Sequence, residues 1–216
     1  MKAPLPRNEG ERLRTLGLYQ VLDTASEKSF DDLVRLASQI AGTPISVMSL
    51  VDDARQWFKA KVGLDATETS RDVAFCAHAI LGEEVFIVED ATKDDRFSDN
   101  PLVTSDPSIR FYAGAPLIMP NGEAIGTLCV IDSTPRKLEE SQVDALRVLR
   151  DAVVTQLELR RAISDLKAVA QLLPLCAWCR NVRSEQGRWC SLEEYVGQSG
   201  VSHGICPDCQ RQFDHD

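Results

Sequence analysis

From Leu138 to Leu173 the chain contains neither glycine nor proline, and the run ends at Pro174. Small or apolar residues fall at Ala145, Leu149, Ala152, Leu159, Ile163, Leu166, Ala170 and Leu173, spaced by four and three in alternation, with Gln156 in the one missing slot. That spacing predicts a long helix carrying a heptad seam. A second apolar set, Val143, Leu146, Val153 and Leu157, lies off the seam in the first half alone. The first half can therefore lay one face on a globular domain. The second half has only the seam, which suits pairing with a copy of itself. The simpler alternative is a C-terminal core helix inside one globule. Either way, the rest of the chain divides into what precedes this rod and a short cysteine-rich stretch that follows it.

The 216 residues suffice for one domain and a small module, and a 44% hydrophobic content suffices for a buried core. No apolar run is long enough to span a bilayer, and the start, Met-Lys-Ala-Pro-Leu-Pro, lacks the apolar stretch of a signal peptide. The expectation is a cytoplasmic protein without a membrane partner. The formal net charge of −9 argues against a nucleic-acid partner, which would call for a basic face. Of seven cysteines, Cys76 and Cys129 stand apart and five cluster between Cys176 and Cys209. In a reducing compartment such a cluster reads as metal binding before disulfides.

Before the rod, residues 8–22 predict a helix opened by Asn8, and Phe30 to Ile40 a second one closed by Gly42. Residues 44–52 and 56–64 read as strands joined at Asp52-Asp53, and 110–119 and 123–132 as strands joined at Asn121-Gly122. A short buried helix is expected over Val73–Leu81 and a strand over 84–90. Residues 91–110, rich in Asp, Ser and Pro, read as a long irregular cover over a pocket. Tight turns join most of the strands, so the predicted fold class is α+β with a central antiparallel sheet. The expected division is a domain over 1–165 and a module over 166–216.

Four motifs, FCAHAI (75–80), VEDATKDDRFSDNPLV (88–103), RFYAGAPL (110–117) and GTLCVIDSTPR (126–136), together resemble the GAF family of bacterial signalling domains. Residues 8–37 resemble the lead-in that precedes such domains. The resemblance implies a sheet with helices behind it, a ligand pocket in front, and terminal helices that form a homodimer and pass signals onward. No kinase, cyclase or dinucleotide-synthase segment is read after the helix, so output would go to a signalling partner protein. Cys76, His78, Asp90, Arg110 and Tyr112 are the candidate ligand-binding residues, with Asp95, Arg96 and Phe111 beside them. Arg110 next to two aromatics could hold an anionic or planar ligand, or pair with Asp90 or Asp95 to pin the loop. Ala77 separates Cys76 from His78, whereas bilin-bearing members have the two adjacent, so bilin is not expected, nor is haem. Cys76 and His78 can equally be packing residues. No catalytic set is read. The enzymatic alternative is a thiol oxidoreductase of the methionine-sulfoxide-reductase kind, which requires Cys76 to meet Cys129.

After the rod, Cys176/Cys179 and Cys206/Cys209 form two Cys-x-x-Cys turns separated by 26 residues. Two such turns can present four thiolates to one ion at about 2.3 Å, the preference of structural zinc. A module this small needs such a staple to fold. His203 could replace a thiolate or support one, and a redox-active dithiol is the other use of the same residues. Between Cys176 and Asp216 there are four arginines and no lysine against six carboxylates, which again disfavours nucleic acid.

Overall fold

The two predicted hairpins form as expected and are the middle of the molecule. The structure is a computed structural model that describes residues 2–170, 174–184, 187–195 and 202–204. β1 (Ile45–Val51) pairs antiparallel with β2 (Arg55–Val62), and β5 (Phe111–Ile118) with β6 (Ala124–Asp132). At the first turn Asp52 and Asp53 each accept the next backbone N–H, at 2.9 and 2.7 Å, which is the local bonding that favours Asp there. β1 and β6 then pair, and the short β3 (Glu68–Ser70) and β4 (Phe86–Val88) close the edges. The resulting order is β3-β2-β1-β6-β5-β4, antiparallel throughout. β3 was not expected: three residues carry too little alternation to be read as a strand.

Side chains alternate across this sheet. Met48, Leu50, Phe111, Ala113, Leu128 and Val130 face one way. They pack with Phe30, Val34 and Ala37 of α2 (Lys28–Ala41) and with Leu146, Val153 and Leu157 of α5 (Glu140–Ala170). Gly42 ends α2 with φ 65°, the left-handed conformation a glycine adopts without strain. Val47, Val51, Tyr112 and Cys129 face the other way, toward α3 (Phe75–Ala79) and the covering loop. In β2 a bulge opposite Met48/Ser49 leaves Lys59 unpaired. Its ammonium reaches Thr24, Ala25 O and Glu27 at 2.6–2.8 Å.

Some details depart from expectation. α1 spans Glu9–Leu18, not 8–22. Gln20 turns to φ 45°, and Arg160 takes the Tyr19 and Gln20 carbonyls at 2.9 and 3.2 Å in place of a further helical turn. Asn8 stands at the N-cap, but its side chain donates to the Glu123 carboxylate at 2.5 and 2.6 Å rather than capping the helix. Within the irregular cover, Asn100 starts a short helix α4 (Pro101–Thr104) by accepting from Leu102 N at 2.9 Å. On α5, Leu146, Val153 and Leu157 of the off-seam set are buried and Val143 is partly buried, and Leu149 of the seam joins them in the core. Leu159, Ile163 and Leu166 are exposed.

The chain divides into two compact units, residues 1–161 and 162–216. In the second, β7 (Pro174–Cys176), β8 (Val182–Arg183), β9 (Trp189–Cys190) and β10 (Ser202–Gly204) form a sheet ordered β10-β7-β8-β9. Leu175 and Val182 are its small core, and a short helix, α6, spans Leu192–Tyr195. Among the described residues no helix is long and apolar enough to cross a membrane.

Candidate functional site

The segment leading into α3 is held by polar contacts. Upstream, the Ser70 hydroxyl accepts Asp72 N, and Arg71 donates to Glu9 at 2.5 Å and to Asp52 O at 2.9 Å. From the covering loop, the Asn100 side chain donates to Val73 O at 3.0 Å. These bonds seat Phe75, Cys76, Ala77 and Ala79 against the sheet, where Phe75 stacks on Phe97 at 3.9 Å between ring centres.

Between α3, the loop and the sheet lies a cavity of about 400 Å³. Apolar side chains such as Val47, Phe58, Phe75 and Ile109 form most of its wall. Cys76, Tyr112 and Cys129 meet there, and Asp65 and Asp106 are exposed residues of its lining. Among the described residues no Lys, Arg or His lines it. Gln56 of β2 does, and it is 6% exposed. Its amide nitrogen donates to Thr69 Oγ1 at 2.8 Å, while its Oε1 has no partner among the described residues. A buried carbonyl left unsatisfied costs roughly 1–3 kcal/mol, and a ligand N–H or O–H would remove that cost.

Cys76 is the polar centre of the cavity wall. Its sulfur accepts from the Tyr112 hydroxyl at 3.2 Å and from Thr127 Oγ1 at 3.1 Å, and Ser49 Oγ lies 3.1 Å from Thr127 Oγ1. Burial alone would push the Cys76 thiol up. The donors Cys129, Ser49, Thr127 and Tyr112 outweigh burial and bring it down to about 6. The Cys129 thiol is pushed well up by its bond to Cys76 and by burial, and the Tyr112 phenol is pushed up by burial and the neighbouring sulfurs. These bonds favour the charged form of Cys76 and the neutral forms of Cys129 and Tyr112. Gly114 makes this possible: a Cβ there would lie 2.2 Å from the Tyr112 hydroxyl.

The sequence candidates separate into two groups. Cys76 and Tyr112 are together in the cavity wall. His78, Asp90 and Arg110 are not part of it. His78 lies edge-on to Phe97 at 4.8 Å. Asp90 accepts from Thr92 and pairs with Lys93 at 2.8 Å, closing a turn. Arg110 donates to Val103 O and Ile109 O at 2.8 and 3.1 Å, which pins the loop through carbonyls rather than through Asp90 or Asp95. Ser49, Gln56 and Thr127 escaped sequence reading. Ser49 and Thr127 are hydroxyls within largely apolar strands, and Gln56 is an amide beside Trp57 and Phe58, which is the signal the sequence carried.

Of the predicted metal ligands, Cys176 is buried and its sulfur accepts Cys179 N at 3.4 Å, so the first Cys-x-x-Cys turn is formed. Cys206 and Cys209 lie outside the described residues, as does the His203 side chain. Among the described residues no group of three or more His, Cys, Asp or Glu is placed to hold a metal ion.

Residues 26–157 match the model of the GAF domain. The chain belongs to the GAF-domain family. Over 160 residues, 74% of its length, it is 42% identical to a cyclic di-GMP phosphodiesterase of Pseudomonas aeruginosa, and it spans 27% of that protein. In fold it is similar to the GAF domain of an Acinetobacter phosphoenolpyruvate-protein phosphotransferase, with a TM-score of 0.52 and 20% identity over 72% of this chain and 96% of that one. A domain of a sensor histidine kinase from Sinorhizobium meliloti aligns with a TM-score of 0.52 and 15% identity, covering 67% of this chain and 99% of that one. The α+β fold with its antiparallel sheet is thus the GAF fold.

Proposed function

We propose that this GAF protein is a cytoplasmic sensory and regulatory module that binds a small, predominantly apolar, uncharged or cationic ligand and acts on a partner protein. The observation that carries the reading is the cavity whose buried Gln56 Oε1 lacks a donor. The absence of cationic residues from the described lining, with Asp65 and Asp106 in it, opposes a phosphate or carboxylate ligand. The similarity to a cyclic di-GMP phosphodiesterase and a sensor kinase domain supports the regulatory role. The exposed Leu159, Ile163 and Leu166 on α5, spaced by four and three, support a homodimer through that helix. The formed Cys176/Cys179 turn supports half of a structural zinc site, which Cys206 and Cys209 would complete.

Thermal unfolding with uncharged aromatic amides, their carboxylate counterparts and cyclic dinucleotides tests the ligand class. The amides are expected to raise the midpoint, since a ligand at a hundredfold excess over its dissociation constant stabilises by about 2.7 kcal/mol. Gln56→Leu should lose that response. A carboxylate or cyclic dinucleotide that stabilises more than the amides sinks the reading. Native mass spectrometry reports the dimer, and a bound zinc, in the same sample.

A second reading, a thiol oxidoreductase acting on a sulfoxide, is favoured by the presence of both Cys76 and Cys129 in the cavity wall. Turnover of methionine sulfoxide with a dithiol reductant, lost in Cys76→Ser, would support it. Wild-type protein without turnover excludes it.

A further inference from the structure

Two cysteines distant in sequence, Cys76 of α3 and Cys129 of β6, line the same cavity: Cys76 accepts from Thr127 Oγ1 at 3.1 Å, and Cys129 lies two residues beyond Thr127 on the same face of β6. Both are reduced thiols, both are nearly inaccessible to bulk water, and both line the cavity. The surroundings are asymmetric. Cys76 accepts bonds from Tyr112 and Thr127, whereas Cys129 is itself a donor, 3.5 Å from Val47 O. A sulfur that collects donors is held as the nucleophile, and a sulfur that keeps its proton beside it is placed to resolve the product.

We propose that Cys76 and Cys129 form a peroxide-modifiable dithiol, with Cys76 the attacking sulfur and Cys129 the resolving one. The inference stands on the thiol pair and does not depend on which ligand the cavity takes.

In the first step the Cys76 thiolate attacks one oxygen of a hydroperoxide. The O–O bond breaks, an S–O bond forms, and the departing alkoxide takes a proton to leave as an alcohol, or as water when the oxidant is hydrogen peroxide. Cys76 is then a sulfenic acid. In the second step the Cys129 sulfur, giving up its proton, attacks the Cys76 sulfur. The S–O bond breaks, the oxygen leaves as water, and a disulfide joins α3 to β6. Two thiols lose two electrons and two protons, and one hydroperoxide is reduced. The disulfide removes the acceptor that Tyr112 and Thr127 share, so the cavity wall is rebuilt by the oxidation.

Tryptic mapping of the full chain reads the two cysteines apart from the five in the C-terminal stretch, because Cys76 falls in peptide 72–93 and Cys129 in 111–136. Hydrogen peroxide at low molar excess should produce the cross-linked pair, reversible by dithiothreitol. Cys129→Ser should give a Cys76 sulfenate, trapped by dimedone, in place of the cross-link. The wild-type rate should rise with pH through about 6 and level off above it. Tyr112→Phe should move that midpoint upward and slow the reaction roughly fivefold at pH 6 for a one-unit rise. The proposal is overturned if, in wild-type protein, both peptides remain fully alkylatable under denaturing conditions after peroxide. It is equally overturned if Cys76 proceeds to sulfinate without the cross-link. Neither readout depends on a variant folding, and neither uses the amide probes that test the ligand reading.

Discussion

The two faces of the six-stranded sheet are built from alternate residues of the same strands, yet they differ in kind. On the helix face, Phe30, Val34, Leu50, Phe111, Leu128 and Leu146 pack with almost no exposure. On the opposite face the same strands carry Ser49, Gln56, Tyr112, Thr127 and Cys129 around a cavity. A one-residue step along β6, from Leu128 to Cys129, passes from close packing to chemistry. The contrast shows how one sheet separates tasks: stability accumulates where shape is filled, and reactivity is placed where the opposite face is left open.

The largest expected effect tests that division directly. Leu128→Ala should cost about 2–5 kcal/mol, because helices α2 and α5 cannot collapse into the space. Cys129→Ala, one residue away, should cost under about 1.5 kcal/mol, since it enlarges a cavity already present. Urea titration of both variants reads the difference. Equal losses would mean that the two faces are packed alike.

Gly114→Ala comes next. The added methyl cannot coexist with the Tyr112 hydroxyl 2.2 Å away, so the phenol must leave Cys76. A loss of about 1–3 kcal/mol is expected from overpacking. Alkylation of Cys76 by iodoacetamide should require a higher pH than in the wild type. An unchanged alkylation profile would show that Tyr112 does not set the thiolate.

The helix face was legible in the sequence because its signal is repetition. The 3.6-residue period of α2, the off-seam leucines and valines of α5 and the Asn121-Gly122 turn each recur or have a local cause. The cavity face was legible only in part. Cys76 and Tyr112 could be named as candidates, but their meeting with Thr127 and Cys129 depends on the register of β5 on β6 and on the placing of α3. Sequence distance hides that. Arg110 and Asp90 are candidates because charged residues in or beside a long loop suggest a ligand, and His78 because it stands on the short helix beside Cys76. Their bonds instead go to backbone carbonyls, neighbouring rings and a turn, which is how a long cover is kept in one shape. In the C-terminal unit the Cys-x-x-Cys spacing alone predicted a turn, and the Cys176/Cys179 turn is present.

Acid should act on a third place, the bond network that ties α1 to α3 on the cavity side. Burial raises the Glu9 carboxyl, but its bonds from Arg12 and Arg71 prevail and hold it near 2, below its ordinary 4.5. A carboxylate depressed by folding stabilises the native state fully above its unfolded value and loses that contribution as pH falls through the folded one. Stability should therefore decline between about pH 4.5 and 2. Glu9→Gln should flatten that decline and lower the neutral-pH stability. Urea midpoints across this range check it, and an acid limb unchanged in the variant would remove Glu9 from the account.

The smallest effect belongs to the far end of α5, where neither face of the sheet provides a partner. Leu159, Ile163 and Leu166 are exposed at heptad spacing, and Gln156 stands half-buried one step before them. If this seam pairs with a second copy, a polar residue within it should fix the register and weaken the pair. Gln156→Leu should then tighten the dimer by about 1 kcal/mol, several-fold in dissociation constant, with little change in Cys76 alkylation. Sedimentation equilibrium measures the first quantity and iodoacetamide labelling the second. An unchanged dimer affinity would place the interface elsewhere. A tighter dimer that also shifts the Cys76 profile would mean that the two faces, separate in their packing, are coupled through the helix that leaves them.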